Sequence, residues 1–153
     1  MTEDIKLNWD AGTADIGILD GELELETGFE SAVLISLFTD ARADDDDILD
    51  VPENKRGWWG DLTLSNDKTG SRLWLLEREK TVNVNLTRAE AYIEEALQWM
   101  LDDEVVSKIN VTTERQNRDD GSAILAAKIE FLKTDGMKTT IKYDDLWNAQ
   151  IEV

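Results

Sequence analysis

The chain has 153 residues, 41% apolar and 33% charged, which is enough for one domain with a real core and short of two ordinary ones. It carries 34 acidic and 16 basic side chains, a formal net charge of -18, and has neither cysteine nor histidine. These absences exclude disulfides, thiolate nucleophiles, Ser-His and Cys-His catalysis and the common zinc sites, leaving carboxylates, lysine, tyrosine and hydroxyls as reactive groups.

The acid is concentrated early: residues 1–50 hold 15 acidic and 2 basic side chains, and residues 51–153 hold 19 and 14. Such a surface repels a phosphate backbone, so no nucleic-acid partner is expected; it either serves solubility alone or suits a basic protein partner. No apolar run approaches the roughly 18 residues of a membrane span, so no membrane partner is expected either. The opening "MTEDIKLNWD" has neither the basic nor the apolar region of a secretory signal, and synthesis is expected to end in the cytoplasm.

In chain order, "IKLNWDAGTADIGILDGELELE" alternates polar and apolar residues across Ile16, Ile18, Leu23 and Leu25, and Asp20-Gly21 marks the reversal of a β-hairpin. Two strands alone are marginal, so this acidic hairpin, residues 1–26, reads as an arm. In "TGFESAVLISLFTDAR", Phe29, Val33, Leu34, Leu37 and Phe38 recur at helical spacing behind a Thr27–Glu30 capping box, predicting a helix over about 28–40. "ADDDDILDVPENK" then reads as a solvated loop. Its aspartates lack the alternating ligands and sixth-position glycine of an EF-hand, and no metal or other cofactor is expected.

Further on, "SNDKTGSRLWLLEREK" predicts a turn around Asn66 and Gly70 and a short helix with Leu73, Trp74 and Leu76. The clearest helix lies in "LTRAEAYIEEALQWMLDDE", with a Thr87–Glu90 capping box and a face of Ala89, Ile93, Ala96, Leu97, Met100 and Leu101. From residue 105 the period changes to that of strands, in three blocks joined by "RQNRDDG" and "TDG". Helices followed by a three-stranded meander predict a single α+β domain over 1–153, its helices packed on one face of a small antiparallel sheet.

Little chemistry stands out. "GTADIG" has the wrong glycine spacing for a dinucleotide fingerprint, and no Walker-type loop occurs. Glycoside hydrolysis needs only two carboxylates about 5–10 Å apart, a pair that 34 acidic residues supply by chance. No catalytic residue is therefore assigned. What remains is "RGWWGD", residues 56–61, where two adjacent tryptophans sit between glycines in a predicted loop. Either both rings plug the gap between helix and sheet, or the aromatic pair, beside Arg56 and Asp61, forms an interface hot spot.

"SLFTDARADDDD", "RGWWGD", "GSRLWLLEREK" and "EALQWMLDDEVVSKINV", in this order, closely resemble the tail baseplate proteins of Mu-like phages and prophages. That family is related to the wedge and sheath-initiator proteins of contractile tails. The resemblance spans about residues 5–147. It implies a structural protein, not an enzyme, that resides in the virion tail baseplate after assembly in the host cytoplasm and links wedge proteins to tail sheath or tube proteins; an isolated chain that is monomeric until those partners arrive is compatible with that role. By family position Arg56, Trp58, Trp59 and Asp61 form the signature turn and are the candidate partner-binding residues. The wider wedge family carries Glu-Pro-Arg just after its main helix, where this chain reads "DDEVVSK"; Glu114-Arg115 comes a strand later and does not match, so that contact is carried to no residue. Related wedge proteins have been described as lysozyme-like, which makes a peptidoglycan hydrolase the alternative. An acidic adaptor or nucleic-acid mimic ranks third.

Overall fold

The computed structural model describes residues 3–10, 13–64, 67–76, 82–117, 119–121, 123–144, 146 and 148–149. Among them the alternating N-terminal segment forms three two-stranded antiparallel ladders. β1 (Asp4–Ile5) pairs with β6 (Leu25–Glu26), β2 (Leu7–Asp10) with β3 (Thr13–Ile16), and β4 (Ile18–Leu19) with β5 (Glu22–Leu23). Asp20 (φ 53°) and Gly21 (φ 86°) make the predicted two-residue reversal between β4 and β5. The ladders meet at Gly17, whose carbonyl accepts the Glu24 N–H at 2.8 Å, while the Glu24 carbonyl accepts the Lys6 N–H at 2.9 Å. A Cβ on Gly17 would lie 2.4 Å from Glu24 Oε2 and 2.5 Å from Asn8 Nδ2. Glycine therefore leaves room for the Glu24 carboxylate to accept from Lys6 Nζ and Asn8 Nδ2, each at 2.9 Å. Those two hydrogen bonds hold its pKa below the ordinary carboxylate range.

This ribbon docks on the first helix, α1 (Phe29–Phe38). The Trp9 ring stacks on Phe38 at 3.6 Å between centroids, and the Leu7 N–H donates to Ser31 Oγ at 3.0 Å. The expected Thr27–Glu30 capping box does not form. Gly28, left-handed at φ 81°, precedes the helix and carries Glu26 rather than Thr27 over the free amides. The Glu26 carboxylate accepts the Ser31 N–H at 2.7 Å, the Glu30 N–H at 3.3 Å and the Ser31 hydroxyl. A carboxylate there satisfies orphan donors and suits the positive end of the helix dipole.

The main helix, α2 (Val82–Asp102), begins five residues before Thr87, so the second capping box does not form either. Glu90 has a tertiary partner instead: its Oε1 accepts the Thr113 N–H and hydroxyl, both at 3.0 Å, tying the helix to a strand. The predicted apolar face is otherwise the buried one, with Ala89, Ile93, Ala96, Leu97 and Met100 in the core and Leu101 packed at its edge. The helix stops in a Schellman arrangement: Val105 N–H donates to Met100 O at 2.9 Å and Glu104 N–H to Leu101 O at 3.2 Å. Glu104, at φ 56°, occupies the left-handed position usually given to glycine.

Three long strands follow: β7 (Val106–Asn117), β8 (Ala123–Lys133) and β9 (Lys138–Tyr143), with a short β10 (Asn148–Ala149). β8 is central, with β7 along one edge and β9 and then β10 along the other, all antiparallel. Gly136, at φ 88°, allows the tight "TDG" reversal, closed by Lys133 N–H to Met137 O at 2.8 Å. Val111, Leu125, Ala127, Ile129, Phe131 and Tyr143 face the helices and form one core with Val33, Leu37, Leu73, Leu76, Ile93, Leu97 and Met100. Phe29 meets Phe131 edge-on at 5.1 Å, and Phe38 meets Tyr143 at 5.3 Å, which seats α1 on the same face as α2. The architecture is α+β, with both helices on one face of a small antiparallel sheet and hairpins at the N-terminus.

The strained end of α2 generates a prediction. A non-glycine residue in the left-handed region costs about 1–2 kcal/mol, partly offset by glycine's greater freedom in the unfolded chain. Glu104→Gly should therefore raise unfolding stability by up to about 1 kcal/mol in urea titration; a loss of stability would show that the Glu104 backbone is relaxed.

Candidate functional site

The aromatic turn stands on a platform built by residues 39–76. Asp40 and Ser71 form an isolated parallel bridge, with Ala41 N–H to Ser71 O and Ser71 N–H to Thr39 O, both at 2.9 Å. Gly70 makes this approach possible: its φ is 99°, and a Cβ there would lie 2.2 Å from Thr39 O. The Trp74 indole N–H donates to Ala41 O at 2.8 Å, and the Ser71 hydroxyl donates to Leu37 O.

The aspartate run is the loop expected, with Asp45 and Asp46 exposed to solvent, but it is also tied down by cations from distant parts of the sequence. The Arg72 guanidinium reaches Asp44 at 3.0 Å, Asp47 at 3.1 Å and Glu95 on α2 at 2.6 Å, and it lies 4.7 Å over the Tyr92 ring. Lys68 pairs with Asp44, and Lys55 with Asp45. Burial works against the Arg72 charge, but the hydrogen bonds to Glu95 and Asp47 prevail and hold its pKa above the ordinary guanidinium value. For Asp44, the hydrogen bond from Lys68, helped by the charge of Arg72, outweighs burial and pulls the carboxyl down. Lys55 does the same to Asp45, and Lys128 with Asn110 to Glu130. In every one of these carboxylates the direction is opposite to that of the raised general acid that glycoside hydrolysis requires.

On this platform Ala43 N–H donates to Lys55 O at 2.9 Å, and the chain then reverses through Arg56 (φ 48°) and Gly57 (φ 108°). Of the four candidate residues, two point inward. Arg56 lies 4.5 Å over the Trp74 ring and bonds Asp40 Oδ2 at 2.8 Å through Nη1. Asp61 accepts the Thr69 N–H at 3.0 and 3.2 Å through its two oxygens. The other two present rings to solvent: Trp58 is 39% exposed and Trp59 76%, with centroids 5.4 Å apart. The rings therefore do not plug the gap between helix and sheet. Gly60 is the seat of Trp58, since a Cβ there would fall 2.1 Å from the ring carbons Cη2 and Cζ3. Trp59 opens a 3₁₀ turn over Trp59–Thr63.

The structure adds residues that the sequence reading left out. Ile48 (96% exposed), Val51, Leu62 (89%) and Leu64 are large apolar side chains facing solvent in the same stretch of chain. Ile48, Leu49, Val51, Trp74 and Leu75 line a recess of about 180 Å³, with Arg56 at its wall. This is below the roughly 300–1,000 Å³ of a small-molecule site and suits a protruding side chain better than a cofactor. The signal was present: these are apolar residues without any helix or strand period. Isolated exposed apolar residues are ordinary, and only a contiguous apolar patch is informative.

Two outcomes are expected from this geometry. The Gly60 Hα resonance should be shifted upfield by the Trp58 ring and return downfield in Trp58→Ala; an unmoved resonance would mean that the ring is not seated there. The Asp44 carboxyl should titrate below its ordinary 3.8 and move back up in Lys68→Ala, as followed by NMR. Because its folded pKa is lowered, the stability it contributes is present above the unfolded value, near 3.9, and is lost as pH falls through the folded one.

The family model described as "Phage protein GP46" matches residues 29–138, from the start of α1 to the first residue of β9. The chain is 43% identical over 113 residues to the "Baseplate protein gp46" of Escherichia phage Mu, covering 73% of this chain and 77% of that protein. It is 38% identical over 108 residues to the "Mu-like prophage FluMu protein gp46" of Haemophilus influenzae, covering 71% and 73%. With the whole helical layer, the aromatic platform and most of the sheet inside the matched region, the chain belongs to the phage GP46 family of Mu-like baseplate proteins.

Proposed function

We propose that this protein is a structural component of a contractile phage tail baseplate, which links wedge proteins to the tail tube or sheath during assembly, and that Arg56, Trp58, Trp59 and Asp61 build its partner-binding turn. The observation that carries the reading is the outward pair Trp58 and Trp59, held on an ion-paired platform, with the exposed Leu62 in the 3₁₀ turn that Trp59 opens. Aromatic side chains on a rigid support are the residue type that dominates binding energy at protein interfaces. The baseplate name borne by the Mu relative supports the same role. In this reading the four residues divide the work: Arg56 and Asp61 fix the turn through Asp40 and Thr69, and the two tryptophans enter the partner. The alternative, a tail-associated peptidoglycan hydrolase, draws no support from Glu24, Asp44, Asp45 or Glu130, all of which are shifted in the wrong direction for a general acid.

The test is co-expression of the tagged chain with the tail genes that flank its own gene, followed by affinity capture and mass spectrometry. Sheath, tube or wedge subunits should be recovered. Trp58→Ala/Trp59→Ala should still fold cooperatively, because neither ring belongs to the core, yet lose those subunits at least tenfold, about 1.4 kcal/mol per decade. A folded double variant that retains every partner would refute the assigned turn, and recovery of no tail subunit by the wild type would refute the baseplate role.

A further inference from the structure

The outer face of the sheet carries a local excess of lysine on an acidic chain, with Glu130 and Glu114 as its acids. Strand register aligns Lys108, Leu132 and Lys138 in one row, Asn110, Glu130 and Thr140 in the next, and Thr112, Lys128 and Lys142 in a third. The alternating neighbours Val111, Ile129 and Tyr143 enter the core, so these rows face away from the helices. Glu130 is already committed, accepting from Lys128 at 3.0 Å and from Asn110 at 3.1 Å. Lys108, Lys138 and Lys142 make no ion pair among the described residues; Lys108 and Lys138 flank the half-buried Leu132 directly, and Lys142 stands two rows along the same face. A net charge of -18 makes this basic patch an exception on the chain.

Its complement lies at the other end of the same molecule. The β4–β5 tip exposes Ile18, Leu19 and Leu23, and these are bordered by the exposed acids Asp15, Asp20 and Glu22. Trp9 and Leu7 of β2 fasten this ribbon to α1. Among the described residues, Asp15, Asp20 and Glu22 make no ion pair with Lys108, Lys138 or Lys142 of their own chain.

We propose that the occupant of the basic face is a second copy of this chain, docking its acidic β4–β5 tip on Leu132 between Lys108 and Lys138, with Lys142 further along the same face. The two patches differ, so the contact is head-to-tail and propagates around a ring or along a filament. Two copies of charge -18 repel each other at long range, while charges in contact attract. At roughly 0.01 M salt the Debye length is about 30 Å and repulsion dominates; near 0.15 M it is about 8 Å and the contact survives; near 1 M, at about 3 Å, the contact weakens too. Association should therefore peak at intermediate salt.

Sedimentation velocity of the full chain across this salt range tests the proposal. The weight-average mass should at least double near 0.15 M relative to either extreme. Lys108→Glu/Lys138→Glu/Lys142→Glu should be monomeric alone, as should Asp15→Lys/Glu22→Lys, and mixing the two should restore association. All five positions are exposed, and unchanged circular dichroism and melting verify the fold. Should the triple glutamate variant fail to fold, Lys108→Gln/Lys138→Gln/Lys142→Gln reads the same loss. A wild type that is monomeric at every salt, a charge-reversed variant that associates by itself, or a mixture that stays monomeric would each overturn the proposal, the first leaving the face to a foreign acidic segment.

Discussion

The platform under the aromatic turn depends on the reach of one side chain. Arg72 follows Ser71 and Gly70, which bridge the end of α1, and its guanidinium gathers Asp44, Asp47 and Glu95 while lying on Tyr92. It thereby clamps an acidic loop to the main helix and sets the base from which the aromatic turn rises. Four aspartates in a row would repel one another and keep the segment open; three cations, Arg72, Lys68 and Lys55, change that balance. Ion pairs at exposed positions stabilise little, but Arg72 and Asp47 are mostly withdrawn from solvent, where removing one partner strands the other. Arg72 thus contributes to position as well as stability: with it in place, Trp74 can hold Ala41 and carry Arg56 on its ring face.

Periodicity in the sequence carried the frame well. The apolar stripe of α2, the α1 segment, the meander and the Asp20-Gly21 reversal all correspond to observed elements, because each is written in local spacing. The failures lie where a local signal met a stronger distant one. Thr27 and Glu30 had capping-box spacing, but left-handed Gly28 brought Glu26 over the amides instead. Glu90 is drawn to Thr113 on β7, and α2 starts earlier than its apparent cap. The aspartate run gave no sign of these ties because its partners, Lys55, Lys68 and Arg72, lie 10 to 28 residues further along the chain.

The candidate site was legible in part. Arg56, Trp58, Trp59 and Asp61 do form a single turn, yet sequence alone could not say which side chains face in. Tryptophan is a large apolar residue that usually contributes to cores, and composition gives no sign that the adjacent Gly60 is a seat at the surface. The pair is asymmetric as a result: Trp58 is braced against backbone, and Trp59 stands clear. A braced ring has little rotamer freedom left to lose on docking. Ile48 and Leu62 escaped notice for a simpler reason, since an apolar residue without period carries no structural message by itself.

The mostly apolar character of α1 has a consequence for synthesis. Phe38 can stack on Trp9 early, but the sheet partners of the helix's two rings, Phe131 and Tyr143, come about a hundred residues later in the chain, a delay of roughly 5–20 s at bacterial elongation rates near 5–20 residues per second. During that interval "FESAVLISLF" is a sticky segment on a nascent chain. Glu22, Glu24 and Glu26 precede it and Asp40 and Asp44–Asp47 follow, a flanking charge of the kind that keeps unpaired apolar segments from aggregating. The early acid thus protects the helix while the ribosome finishes the sheet that will cover it.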